Sequence, residues 1–232
     1  MGYCARRGKE LKDYTAGKAW KIAKAQQILE AGYRLFSEKG IELVTMPEVA
    51  EASGVGRATV FRYFTTKLDL VVSIGTWKWE EYISWHDSLL SKEQWDAMTG
   101  AEMLRFFLDA FLDLYRNHSD ILRFNYNFNS YLRYEAGTAQ QRQPYMSMSE
   151  ELGRRFHELY ERRIKDGTLR TDIPEATMFS SSFHIMLAAV TRYAVGLVYV
   201  PEESTDTEAE LVMLKELLLS RFTVESDKEE RQ

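Results

Sequence analysis

Between Thr45 and Lys67 the chain gathers three cations, Arg57, Arg62 and Lys67, among the hydroxyls of Thr45, Thr59 and Tyr63 and the apolar surface of Ala58 and Phe61. Such a mixture suits a polyanion, because cations and hydroxyls donate to phosphate oxygens and a guanidinium also pairs bidentately with a purine edge. Nothing comparable supports bond-making chemistry. The chain shows no Ser/His/Asp set, paired-carboxylate motif or phosphate-cradling glycine loop. His86, His118, His157 and His184 lack metal-ligand spacing, and Cys4 is the sole cysteine, so neither metal nor cofactor is expected, and a disulfide within the chain is ruled out. The residue chemistry points to a binding protein and away from an enzyme.

Helices must position these groups, because apolar residues return every three or four positions and no stretch alternates with period two. An all-α fold follows, and a composition 45% apolar and 13% aromatic supplies a sizeable core. The first helix spans about 18–39, with Ile22, Ala25, Ile28, Leu29, Leu35 and Phe36 inward and Gly40 as its cap. Thr45-Met46-Pro47-Glu48 reads as a capping box opening a short helix over 46–52. Ser53-Gly54-Val55 turns the chain into a third helix over 57–64. Thr66-Lys67-Leu68-Asp69 then opens a long helix carrying Trp77, Trp79, Tyr82 and Trp85. Further helices are expected near 100–117, 119–135, 145–166, 174–199 and 207–223.

Charge divides the chain in the same place. The net charge of -5 resolves into +5 over residues 1–67 and -10 over the remainder. Residues 1–17 read as a basic flexible arm, either tracking a nucleic-acid backbone or solvating the terminus, and 225–232 as a frayed tail. The longest apolar stretch, Ile185 to Val200, is broken by Arg192 and is too short for a bilayer, and no signal-peptide pattern is present. A cytoplasmic protein without a membrane span is expected.

Two short helices joined by a glycine turn form a helix-turn-helix. Ala50 is small where the helices cross, Val49 and Val55 fill their angle, and Val60 and Phe64 give the third helix one inward stripe, leaving its opposite face for DNA. At this point the chain resembles the tetracycline-repressor (TetR) family. The likeness rests on Ile28-Leu29-Glu30-Ala31, Leu35 to Gly40, Thr45, Val49 to Val55, Thr59 to Phe64, and Lys67.

The resemblance implies a three-helix DNA-binding domain over 18–67 and a larger helical ligand-binding and dimerisation domain over 68–224. The third helix would enter a major groove, with Arg57 reading a base or, alternatively, touching only phosphate. Ala58, Thr59 and Phe61 would meet thymine methyls or fill the groove, and Tyr63, Arg62, Thr45 and Lys67 would hold phosphates. Three positions depart from the usual pattern: Gly56 replaces a capping hydroxyl, Phe61 stands where tyrosine is common, and Pro47 where some relatives carry a base-reading polar group.

In that family the last two helices of each subunit build a four-helix interface, so 174–199 and 207–223 are the expected homodimer helices, against the alternative of an ordinary core. Aromatic residues between Trp77 and Phe183 suggest a pocket among the central helices. Its expected lining is Trp85, Phe107, Phe111, Tyr115, Phe128, Tyr131, Phe156 and Tyr160, with Asn127 and His157 as polar contacts. The implied activity is a transcriptional regulator, by default a repressor that leaves double-stranded operator DNA when a small apolar or aromatic effector binds and tilts the helix after Lys67. The alternatives are a TetR-like adaptor that binds protein, or a helical small-molecule enzyme.

Overall fold

Helix ends in this chain are set by side chains that reach back to the backbone. The computed structural model describes residues 22–135, 137–197 and 206–224, without the side chains of 163–165. The arm at 1–17 and the tail at 225–232 lie outside the described residues, as do the first residues of the expected opening helix. Ten helices are described, α1 (22–39), α2 (Met46–Ser53), α3 (Arg57–Tyr63), α4 (Lys67–Asp87) and α5 (Lys92–Ala97), then α6 (Gly100–Asn117), α7 (Ser119–Tyr134), α8 (Ala139–Asp166), α9 (Glu175–Ala194) and α10 (Thr207–Phe222). The fold is all-α; Leu169 and Thr223 form an isolated antiparallel bridge. Among the described residues no helix is long and apolar enough to cross a membrane.

The capping box of α2 forms as its spacing predicts. The Thr45 amide donates to Glu48 Oε2 at 2.7 Å while the Glu48 amide donates to Thr45 Oγ1 at 3.4 Å. Gly54 then takes φ 66°, a left-handed conformation that a side chain would strain, and turns the chain into α3. Thr66 and Asp69 repeat the reciprocal pattern at α4, with bonds of 2.8 and 3.1 Å.

Three expectations change. The sequence reading placed no helix at 92–97, yet Ser91 and Gln94 form a capping box that starts α5. α8 begins at Ala139 and not near 145, because Thr138 and Gln141 cap it and Pro144 falls in its second turn, where the ring removes one backbone donor and the helix continues. α9 stops at Ala194, short of 199, as Gly196 at φ 76° closes it.

The contacts divide the chain into two units. The first holds residues up to Gly75 together with Asn127–Arg142, so the end of α7 and the start of α8 join a unit that the sequence reading ended at Lys67. Local packing explains why. Phe128 lies against Gly75, Leu68 against Gly137, and the Gln141 side-chain amide donates to Thr66 Oγ1 and Asp69 Oδ1 at 3.2 and 2.9 Å. Within this unit α1 buries Ile28, Ala31, Leu35 and Phe36, whereas Ile22, expected inward, is 63% exposed.

The second unit holds Thr76–Tyr126 and the chain from Gln143 onward. Here α6, α9 and α10 pack on one another, burying Met103, Leu104 and Leu108 against Met178, Met186 and Val190 and against Leu211 and Leu218. A buried Lys215 inside this packing meets Asp109 at 2.8 Å.

The two close helix approaches in the first unit differ in what they touch. A Cβ at Gly75 would meet the Phe128 ring at 2.9 Å, whereas one at Gly32 would meet only the terminal Cδ1 of Ile74 at 2.7 Å. Gly75→Ala should therefore cost roughly 1–3 kcal/mol through overpacking. Gly32→Ala should be near neutral, since a methyl can rotate away and alanine favours a helix by up to about 1 kcal/mol. Urea denaturation of both variants checks this; equal losses would contradict the packing described.

Candidate nucleic-acid interface and ligand cavity

α3 has two chemically opposed sides. Val60 and Phe64 are 0% and 7% exposed, while Arg57, Ala58, Phe61 and Arg62 face outward. Thr59 and Tyr63 are half-buried between these sides. Among the described residues Arg57 makes no hydrogen bond or ion pair, and Arg62 makes only a contact over the Tyr63 ring at 5.9 Å. Two cations without counter-charges on one exposed helix face form an electropositive edge that an anionic ligand can neutralise.

The other two expected phosphate contacts are already engaged. Thr45 Oγ1 donates to Glu48 Oε2 at 2.8 Å, so its only proton serves the α2 cap. Lys67 Nζ donates to the Glu42 carbonyl at 3.1 Å and lies 5.7 Å from the Tyr131 ring centre. Burial pushes its pKa down, against the pull of Glu42, Glu135 and Glu48. Lys67 thus ties the turn between α1 and α2 to the start of α4.

In the second unit a cavity of about 430 Å³ opens among α4, α5, α6 and α8, with Phe183 of α9 also on its wall. Its interior is apolar and largely aromatic. Phe107 meets Phe111 and Phe156 edge-on, with ring centres 5.5 and 5.3 Å apart, and Phe111 meets Phe183 at 5.7 Å. Two polar groups on the wall are committed to protein: Trp79 Nε1 donates to Asn125 Oδ1 at 3.2 Å, and Tyr82 Oη donates to the Ala110 carbonyl at 2.6 Å.

Of the expected lining, Phe107, Phe111 and Phe156 reach the cavity. The others do not, and each has a local reason. Trp85 is 40% exposed, against His118. Tyr115 is held by Thr207 Oγ1 at 2.7 Å, Tyr160 donates to the Ile173 carbonyl at 2.8 Å, and exposed His157 bonds Glu175 at 2.9 Å. Asn127, Phe128 and Tyr131 belong to the first unit.

The sequence reading missed Trp79, Tyr82, Ile83 and His86 on α4, and Phe106 and Trp95 beyond it. The first four recur at intervals of three, one and three, a single helical face that was legible in principle. His86 packs its ring 4.1 Å from Phe106 and makes no side-chain hydrogen bond among the described residues. Burial pulls its pKa below the usual imidazole value, although Asp87, Asp113 and Asp109 act in the opposite sense.

The mouth carries three cations and three carboxylates, each held in an ion pair, Lys92 by Asp96 beyond the lining. Arg155 pairs with Asp87 and, at 3.2 Å, with Glu151. Arg154 pairs with Glu151 at 2.5 Å and Glu158 at 2.9 Å, and Lys92 with Asp96 at 2.6 Å. The hydrogen bond from Arg154 holds the Glu151 carboxyl down to about 2, so it stays ionised.

Comparison with known proteins agrees with this geometry. Residues 28–74 match the family model described as bacterial regulatory proteins, tetR family. The HTH-type transcriptional regulator SAR2658 of Staphylococcus aureus (strain MRSA252) is 27% identical over 109 residues, 47% of this chain and 57% of that protein. The chain thus spans just over half the length of that relative. Among solved structures, a TetR transcription regulator from Haloarcula marismortui shares 19% identity at a TM-score of 0.68, covering 87% of this chain and 99% of the other. The transcriptional regulator FadR from Bacillus subtilis, solved in complex with stearoyl-CoA, shares 18% identity at a TM-score of 0.64, covering 84% and 97%. Both show that the fold of the second unit is shared as well as that of the first.

The depressed His86 pKa has a consequence for stability. The folded chain favours the neutral ring, so its contribution is complete above the unfolded value of about 6.5 and is lost as pH falls below it. His157, raised by its bond to Glu175, acts with the opposite sign. Thermal melts at pH 7.5, 6 and 5 should show a steeper acid loss in the wild type than in His86→Phe; identical slopes would refute the buried neutral imidazole.

Proposed function

We propose that this chain, whose residues 28–74 match the tetR family of bacterial regulatory proteins, is a ligand-responsive repressor acting as a homodimer on operator DNA. The observation that carries the reading is the outward face of α3, where Arg57 and Arg62 stand exposed, with no carboxylate partner among the described residues, opposite a buried Val60 and Phe64. In this reading α3 lies in the major groove, Arg57 addresses a base edge, Ala58, Thr59 and Phe61 fill the groove, and Arg62 and Tyr63 hold phosphates. Thr45 and Lys67 act mainly by holding α2 and α4 in place, and Lys67 reaches phosphate only by leaving the Glu42 carbonyl.

The effector is a small apolar or aromatic molecule, and the cavity over α4 to α8 receives it. α4 carries Lys67 at its first residue and His86 in its last turn, so it supplies side chains to both functions. Release from DNA then requires that the effector favour one arrangement of α4 over the other. Reversing a 1:99 balance takes about a 10⁴-fold difference in affinity between them.

α9 and α10 supply the dimer contact. Ile185 on α9 and Met213 and Leu217 on α10 are 43%, 57% and 57% exposed, on helices whose other faces are buried in the core. Exposed apolar side chains at helical spacing are the expected half of a symmetric helical interface.

Selection from a random DNA pool followed by gel shift tests the reading. Arg57→Ala should relax preference at one position by about 1–3 kcal/mol, while Lys67→Ala weakens all sequences alike and also lowers stability. No selected DNA at all would sink the proposal. For the interface, Met213→Glu combined with Leu217→Glu should sediment as a helical monomer; a dimer surviving both would place the contact elsewhere.

A further inference from the structure

The reading of the cavity as an effector site can be carried to the chemistry of what it holds. Its size comes first. A cavity of about 150 Å³ takes one benzene, so a cavity of about 430 Å³ has room for two to three rings. Its interior is aromatic and aliphatic carbon, and the tyrosine and indole groups of Tyr82 and Trp79 already have partners. Only a molecule whose surface is mostly apolar can occupy it without leaving polar atoms unpaired.

Charge is excluded by the mouth. The lining contributes Lys92, Arg154 and Arg155 against Asp87, Glu151 and Glu158, a balanced set, and every cation among them is already paired. A carboxylate or ammonium entering there must either break one of these pairs or remain without a counter-charge in an apolar space.

Two side chains on the wall, His86 and Trp95, make no side-chain hydrogen bond among the described residues, and of these only the imidazole can accept as well as donate. The His86 ring packs against Phe106 at 4.1 Å, lines the cavity and makes no side-chain hydrogen bond among the described residues. A neutral imidazole offers one donor and one acceptor, which fits a hydroxyl or carbonyl. The Trp95 indole packs on the same ring at 6.2 Å and also makes no side-chain hydrogen bond among the described residues.

We propose that the cavity selects an uncharged molecule of two to three rings bearing one hydroxyl or carbonyl, and that His86 is the residue that orients it. The proposal rests on the effector reading above. It assigns the discrimination between neutral and charged ligands to the closed ion pairs of the mouth, and the discrimination between ring compounds to one side chain of α4.

A matched series tests it by isothermal titration calorimetry on the full chain: naphthalene, 2-naphthol, 2-naphthoate and trimethyl(2-naphthyl)ammonium. Naphthol should bind about tenfold tighter than naphthalene, the value of one good hydrogen bond. Both charged probes should bind at least about a hundredfold more weakly than naphthol. In His86→Phe the tenfold preference for naphthol over naphthalene should vanish, and His86→Gln, which keeps a donor and an acceptor, should retain part of it. A charged probe binding as well as naphthol overturns the proposal, as does no binding by any probe, or a naphthol preference unchanged in His86→Phe. The probe ranking needs only the wild type, so a variant that fails to fold leaves that arm decisive. Gel shifts run alongside separate the two readings: neutral selectivity without DNA binding sinks the regulator and leaves this assignment, and DNA binding with a charged preference does the reverse.

Discussion

The burial of α4 along its first turns constrains more of this structure than any other single feature. Leu68, Leu70, Val71, Val72 and Ile74 are at most 3% exposed, and Gly75 has a phenylalanine ring where a side chain would stand. A helix apolar on all sides must be enclosed on all sides. α1 closes one side of it, through the contact of Gly32 with Ile74, and the end of α7 closes another through Phe128. The start of α4 also reaches back along the chain, because Lys67 holds the turn that leads into α2.

The same helix changes character after Thr76. Its second half turns Trp79, Tyr82 and His86 toward a space left empty in an otherwise close-packed unit. Aromatic rings meeting edge-on resist collapse, because each is held by its neighbours at centroid distances of 5 to 6 Å and cannot fill the gap by rotating alone. The ion pairs at the mouth add little stability at their exposure.

What was legible beforehand followed the range of the interactions. Capping at Thr45 and Thr66 involves residues three apart, and the inward stripe of α3 residues four apart; both were readable, and both formed. α5 and the true start of α8 use the same local chemistry, at Ser91 and Thr138, but lay hidden behind polar sequence and behind Pro144. The expected pocket residues were chosen as aromatic residues on the central helices, without regard to helix face. Phe107, Phe111 and Phe156 reached the cavity; Tyr115, Tyr160 and Phe128 were claimed by partners more than ten residues away.

The sequence by itself determined the helices, their caps and the two-sided chemistry of α3, because periodicity and capping act within one or two turns of chain. It also carried the family resemblance, since the family match falls on residues 28–74, where those local features lie. Only the tertiary structure decided that residues 127–142 join the first unit, that Lys67 serves a backbone carbonyl, and that His86 looks into a cavity. Each of those depends on which distant side chain fills a given space, and spacing along a single chain does not encode that.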